Sequence, residues 1–322
     1  MKDKLYKKEK MNGFIIIHIL KDHYFKNIIL ITINIIIIIS FSTSKYEIIS
    51  SNYNYIFTFW EPHDSLPGYL TLCIKTWKKY LANNYKIIIL DYSNIRHYLG
   101  YKIVKQILCL DMTLPIQSDA IRVAILQKYG GIWMDADILI VNSKFITMLN
   151  GSDLVMFGTS KNQTQHIGFI YASNKSTILK AWLDRIINNV RIYKYKLVLN
   201  YLFPIKYFKK SFEELNEWSY LGNGIIDSLV NNASEKDFKR IEKEDAYSLP
   251  EQQLLNKDSI ISYINFYFTN NYSLEFLDKC KGVILLHNSW TPKKYKDMSA
   301  KEFLKQDILL ARLFFRLLNE NN

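Results

Sequence analysis

Cysteine is scarce in this chain, 3 of 322 residues, and Cys73, Cys109 and Cys280 stand far apart with no CxxC pair. That spacing offers neither a zinc site nor a disulfide framework. The apolar settings of Cys73 (LCI) and Cys109 (LCL) suit small buried thiols in a reducing compartment. Glycine and proline are also sparse, 11 and 6, whereas hydrophobic residues make up 49% and aromatics 15%. A largely disordered chain is thereby excluded, and the length suffices for one large α/β domain or two modest ones. Acidic residues are in deficit, 30 against 42 Lys and Arg, for a formal net charge of +12. Such an excess invites a nucleic-acid reading through phosphate contacts. The Lys residues are scattered among Ile, Asn and Tyr, however, with no basic stripe interleaved by aromatics, so a nucleic-acid partner is not expected. The charge equally suits an anionic membrane surface or a phosphorylated substrate.

A long uninterrupted apolar run is missing too. The N-terminal extension, residues 1–50, begins with the Lys-rich MKDKLYKKEK and contains IILITINIIIIISF at 28–41, a run of fourteen residues carrying Asn34. A spanning helix needs roughly twenty apolar residues. Stretched to Ser44 the run just crosses a thin bilayer, with the preceding Lys holding the N-terminus in the cytosol. A signal peptide with an oversized basic region, a mistaken upstream start and a buried extension are the competing readings. A membrane anchor or interfacial segment is the expectation.

From residue 51 to 322 the pattern becomes that of a layered α/β domain. NYIFTFW is a strand ending at Trp60, YLTLCIKTWKKYL has helical apolar spacing, and YKIIILD is a second strand ending at Asp91. This is a βαβ unit, and ligands are expected at the carboxyl ends of its strands, where Trp60 and Asp91 fall. SNIRHYL reads as a short helix capped by Ser93 or Asn94. After Pro115, IQSDAIRVAILQKYGG is a helix stopped by Gly130-Gly131, with Asp119 and Arg122 three apart on one face. Alone, that pair would be a surface ion pair worth well under about 1 kcal/mol.

The helix feeds into IWMDADILI, an apolar run containing Asp135 and Asp137. In a continuous strand these carboxylates point the same way, about 6.5 to 7 Å apart. Uncompensated, they repel, and a cation relieves them; oxygen ligands with open positions suit Mg²⁺ or Mn²⁺, which also bind substrate phosphates. Two exposed strand-end aspartates are the plainer alternative.

SDAIR, the GG turn and DAD together resemble the DXD-motif glycosyltransferases of the family that contains capsular polysaccharide synthesis proteins and the yeast initiating mannosyltransferase. IFTFWEP through YKIIILD is similar to that family's first βαβ unit, and GVILLHNSWTPKKY to its last strand and following loop. The resemblance covers roughly residues 53 to 300. It implies a GT-A-like, single Rossmann-type nucleotide-sugar-binding domain with a mixed central sheet and helical C-terminal insertions. It also implies a nucleotide-diphospho-sugar donor held through Mn²⁺ or Mg²⁺, a glycan or lipid-linked glycan acceptor, and retention at the anomeric carbon. Carried over residue by residue, Trp60 would wall the nucleotide base, and Asp119 and Arg122 would contact the donor sugar and diphosphate. Asp135 would reach the ribose or the metal, Asp137 would ligate the metal, His287 would be a further metal ligand, and Trp290 a lid over the diphosphate.

His166, ahead of the GFI strand, is a candidate acceptor contact, and Gly222 and Gly224 are candidates for backbone approach to a sugar; a plain turn serves the glycines equally. Residues 190–215, rich in Tyr, Lys and Phe, read either as an insertion facing a membrane or lipid-linked acceptor or as an amphipathic helical pair. IWMDADIL also fits the opening motif of haloacid-dehalogenase-type phosphatases, with Asp135 as nucleophile. That motif should open its domain, and here two strands and a helix precede it. An inactive, membrane-associated glycan-binding homologue is the non-enzymatic alternative. For location, a membrane-associated protein with a cytoplasmic catalytic domain stands beside a single-pass type II protein with a lumenal one.

Overall fold

The computed structural model describes residues 54–109, 112–159, 164–202, 220–242, 259–280 and 282–319. The Lys- and Ile-rich segment at 1–50, and the part of the 190–215 segment beyond Leu202, lie outside the described residues. Among the described residues no helix is long and apolar enough to cross a membrane.

A six-stranded mixed sheet forms the centre, in the order β2-β1-β3-β6-β5-β7. β1 (Asn54–Phe59) runs parallel to β2 (Tyr85–Leu90) and to β3 (Gly131–Met134), completing the expected βαβ unit through α1 (Gly68–Leu81). β6 (Thr164–Ala172) is antiparallel to β3 and to β5 (Leu154–Thr159), and β7 (Lys239–Glu242) closes the edge parallel to β5. A separate two-stranded sheet pairs β4 (Ile138–Ile140) with β8 (Val283–Leu285).

Both faces of the main sheet are covered, so its strands carry apolar residues at successive positions instead of alternating with polar ones. Ile56, Ile132, Met134, Val155 and Phe157 point into one core, with α1, α7 (Ser259–Tyr267) and the C-terminal elements α8 (Lys293–Lys296), α9 (Ala300–Phe303) and α10 (Leu309–Asn319). Tyr55, Phe57, Trp133, Leu154 and Met156 point into the other, with α2 (Ile95–Leu99), α3 (Tyr101–Ile107), α4 (Leu114–Tyr129), α5 (Thr177–Leu202) and α6 (Asn223–Val230). The α/β class, the mixed sheet and the C-terminal helices expected from the sequence are present.

Several local expectations need correction. The start of the 190–215 segment continues α5 as far as Leu202. Asn94 stands at the N-cap of α2, as expected, but its side chain accepts no helix N–H; Asp91 Oδ1 holds the turn instead, accepting the backbone N–H groups of Ser93 (2.7 Å) and Asn94 (2.9 Å). Its Oδ2 lies 3.2 Å from His63 Nδ1, so Asp91 is committed to building the strand exit. The Gly130-Gly131 turn is as expected, with φ of 68° and 101°. A Cβ on Gly131 would stand 2.5 Å from the Tyr55 carbonyl oxygen, so only glycine lets β3 lie against β1.

Candidate active site

IWMDADILI is two strands and a turn. β3 stops at Met134, and the Ile138 N–H closes a turn onto the Asp135 carbonyl at 3.0 Å before β4 departs to pair with β8. The continuous strand expected from the apolar run is therefore broken at the aspartates. The cause lies in the pairing partners: Asp135 donates its N–H to the Gly168 carbonyl on β6 (2.8 Å), whereas the Asp137 carbonyl accepts the Leu286 N–H just past β8 (3.1 Å). Asp135 thus belongs to the main sheet and Asp137 to the small one. The two carboxylates still meet at the carboxyl end of β3, where Asp135 raises the cost of ionising Asp137.

Arg122 organises the side facing α4. One of its terminal nitrogens lies 3.0 Å from Asp119 Oδ1 and 3.4 Å from Asp135 Oδ1. It also donates to the Ile167 carbonyl and to Ser118, and its guanidinium stacks 5.2 Å over the Trp133 ring. The Trp133 indole N–H in turn donates to Asp135 Oδ1 at 2.8 Å. Asp119 and Arg122 are each only 4% exposed, whereas the Asp135 side chain is 37% exposed. The expected donor contacts of Asp119 and Arg122 are not accessible in this arrangement, because Trp133, Ile167 and Gly222 cover the pair. Instead the pair fixes Asp135, which faces solvent.

Two glycines make this packing feasible. A Cβ on Gly222 would stand 2.7 Å from Asp119 Oδ2, and one on Gly168 would stand 2.8 Å from Asp135 Oδ2 and 2.6 Å from the His166 ring. Gly222 therefore makes room for a carboxylate rather than for a sugar, while Gly224 is exposed at the start of α6. His166 and Asp135 lie together over Gly168, which places His166 at the site's edge.

The C-terminal loop closes the other side. The Asn288 N–H donates to Asp137 Oδ2 (2.8 Å), and the Asn288 side chain accepts from the buried Tyr69 hydroxyl (2.5 Å). Among the described residues no group of three or more His, Cys, Asp or Glu side chains is gathered as a metal site, so His287 does not join Asp135 and Asp137. Its ring packs 4.1 Å from Trp290 and 5.6 Å from Tyr263, and Tyr263 also holds the His287 N–H through its hydroxyl. Trp290 packs on the same ring, 5.6 Å from Tyr263. Trp60 follows β1, half-buried against the core, with its indole N–H buried and lacking an acceptor.

Charge at the site does not balance internally. Burial pushes the Asp119 carboxyl up to about 7 against the pull of Arg122, and burial plus repulsion by Asp135 pushes Asp137 up to about 7. Burial raises Asp135 as well. Three carboxylates share one guanidinium, and that guanidinium lies beside Asp119 and Asp135. The residual negative charge at Asp135 and Asp137, both part-exposed, is what a divalent cation with water or phosphate oxygens as its other ligands would neutralise. The donor set fits such an ion.

A pH dependence of stability follows. Carboxyls whose folded values lie above their unfolded ones stabilise the fold at low pH, and that stabilisation is lost as pH rises from about 4 through about 7. Without metal, the thermal midpoint is expected to fall between pH 5.5 and 8, and to fall less in Asp137→Asn. Scanning calorimetry of both proteins at the two pH values checks this; equal slopes would remove Asp137 from the account.

Tyr69, Trp133, Gly168 and Asn288 were not among the residues singled out from the sequence. Only Gly168, a glycine inside a strand pattern, carried a signal, since such a residue marks a close approach.

No curated protein matches the chain in sequence. Among solved structures it is similar to the glycosyltransferase GlyE of Streptococcus pneumoniae TIGR4, with 10% identity and a TM-score of 0.41, over 84% of this chain and 62% of that one. The chain thus spans less than two thirds of that protein. Residues 10–249 match the family described as capsular polysaccharide synthesis protein, a stretch that takes in most of the N-terminal extension as well as the helix, glycine turn and DAD. With some three quarters of its length matched, the chain belongs to the capsular polysaccharide synthesis protein family.

Proposed function

We propose that the protein is a metal-dependent glycosyltransferase that moves a sugar from a nucleotide-diphospho-sugar to a hydroxyl of a glycan or lipid-linked glycan acceptor, with retention at the anomeric carbon, in capsular or surface polysaccharide synthesis. The observation that carries the reading is the pair of part-exposed carboxylates, Asp135 and Asp137, held at the carboxyl end of the central strand with charge to spare. Family membership supplies the biological setting.

Asp135 and Asp137 would hold Mn²⁺ or Mg²⁺. Bound there, the ion supplies Lewis-acid stabilisation of the departing nucleoside diphosphate. Arg122 and Trp133 fix the Asp135 carboxylate from behind, which keeps the site geometry without reorganisation during reaction. The Asn288 N–H does the same for Asp137. Trp60, at the exit of β1, offers an apolar wall for the base, and His166, over Gly168, stands where an acceptor can approach. Packing of Trp290 on His287 keeps the C-terminal loop against the site and limits access of water. Retention requires no dedicated general base, and none is assigned. The N-terminal extension would hold the protein at a membrane.

A thermal-shift screen of nucleoside diphosphates with and without Mn²⁺, followed by nucleotide release from the matching sugar donors, tests the reading. A metal-dependent shift with UDP or GDP and turnover of one donor are expected. Glycan binding with no donor turned over would favour the inactive-homologue alternative, and an aspartyl-phosphate at Asp135 the phosphatase.

A further inference from the structure

The C-terminal helix α10 presents a surface that the active site does not use. Its sequence, LLARLFFRLLN, buries Leu309, Leu310, Leu313, Phe314 and Leu317 in the core, yet Phe315 is 61% exposed. Beside it lies a groove of about 400 Å³ whose lining includes Leu274, Leu304, Ala311 and Phe315, with Arg312 and Arg316 one turn apart on the helix. Arg312 donates to the carbonyls of Asn270 (3.1 Å) and Tyr272 (2.8 Å), contacts that hold the guanidinium without cancelling its charge. Arg316 is 3.7 Å from Asp278, a well-exposed side chain, so that pairing is screened by water. Between Lys293 and Asn319 the sequence carries seven basic residues (Lys293, Lys294, Lys296, Lys301, Lys305, Arg312, Arg316) and three acidic ones (Asp297, Glu302, Asp307).

From this surface we infer that α10 docks the protein on an anionic phospholipid bilayer, Phe315 entering the acyl boundary and Arg312, Arg316 and the neighbouring lysines meeting the headgroup phosphates. The apolar face of α10 is taken up by the core, so the contact rests on its outer side, where Phe315 stands beside Arg312 and Arg316; an exposed apolar ring with cations next to it suits an anionic interface. A groove of this size accepts part of an acyl chain. Charge argues against a second copy as occupant, because a symmetric contact would set like charges against one another. The inference does not depend on the glycosyltransferase reading.

Bulk co-sedimentation would not discriminate, since the Lys- and Ile-rich N-terminal extension is itself expected to bind vesicles. A local reporter does: full-length Asn319→Cys, labelled with an environment-sensitive fluorophore at the groove's edge, with the unsubstituted chain labelled in parallel as a blank for Cys109. Phosphatidylglycerol vesicles are expected to raise its emission about two-fold or more and shift it to the blue. Phosphatidylcholine vesicles should do much less, and about 0.5 M NaCl should suppress the response. Adding Phe315→Ser and Arg316→Glu, with an unchanged thermal midpoint, should abolish it. The inference is overturned by an equal response to both lipids, by silence at this site while the chain co-sediments, or by a response that survives the two substitutions. A rise produced by inorganic phosphate alone, or by raising protein concentration without vesicles, would overturn it in favour of a soluble anion or a second copy.

Discussion

Asp137→Asn is expected to lower sugar transfer by about 10²–10³-fold or more while leaving the fold in place. The two halves of that expectation have separate causes. Asn retains a carbonyl oxygen at the position of Asp137 Oδ2, so the Asn288 N–H keeps its 2.8 Å partner and the C-terminal loop stays anchored. What disappears is a negative charge that burial and Asp135 already make costly, its carboxyl standing at about 7. The variant should therefore melt no lower than the parent at pH 8, and donor binding should lose its dependence on Mn²⁺. Calorimetry and nucleotide-release assays read the two effects independently. Full activity of the parent in excess EDTA, or full activity of the variant, would sink the proposed metal role.

The second large effect concerns stability. Replacing Arg122 by Met removes the cation between Asp119 and Asp135 together with its hydrogen bonds to the Ile167 carbonyl and Ser118. Breaking a buried pair by deleting one partner costs about 3–5 kcal/mol, because the remaining charge is left without compensation. In a domain of this size that is a drop of roughly 10 °C in thermal midpoint. Asp119→Asn in the same chain should recover part of the loss, since a neutral amide no longer needs the guanidinium. Urea unfolding of both single variants and the double variant measures the coupling. A loss below about 1 kcal/mol in Arg122→Met would mean that the pair behaves as a solvent-screened surface bridge.

Spacing along the chain declares only part of this arrangement. Asp119 and Arg122 at i and i+3 declare a shared helix face, and the bridge at 3.0 Å is what that spacing allows. Nothing in the spacing says that Trp133 stacks on the guanidinium, that Gly222 stands over Asp119, or that both charges are almost fully buried. Those facts come from β3, β6 and the turn before α6, up to about a hundred residues away. The same limit applies to DAD. Alternation along one strand put both carboxylates on one face, and the structure breaks the strand between them, because β4 finds its partner in β8, some 145 residues on. His287 was singled out through the resemblance of the HNSW loop to that of the family; the neighbouring Asn288 main chain is what reaches Asp137.

By itself the sequence determined the α/β class, the βαβ start, the helix with its double-glycine stop and the two aspartates that follow. Each of these rests on local periodicity or on backbone conformations that only certain residues adopt. Tertiary structure alone decided which carboxylate faces solvent, which is buried against Arg122, and which loop anchors Asp137. Burial and charge compensation are set by residues brought together from distant parts of the chain, and desolvation, not spacing, separates a surface ion pair from the organising element of a site.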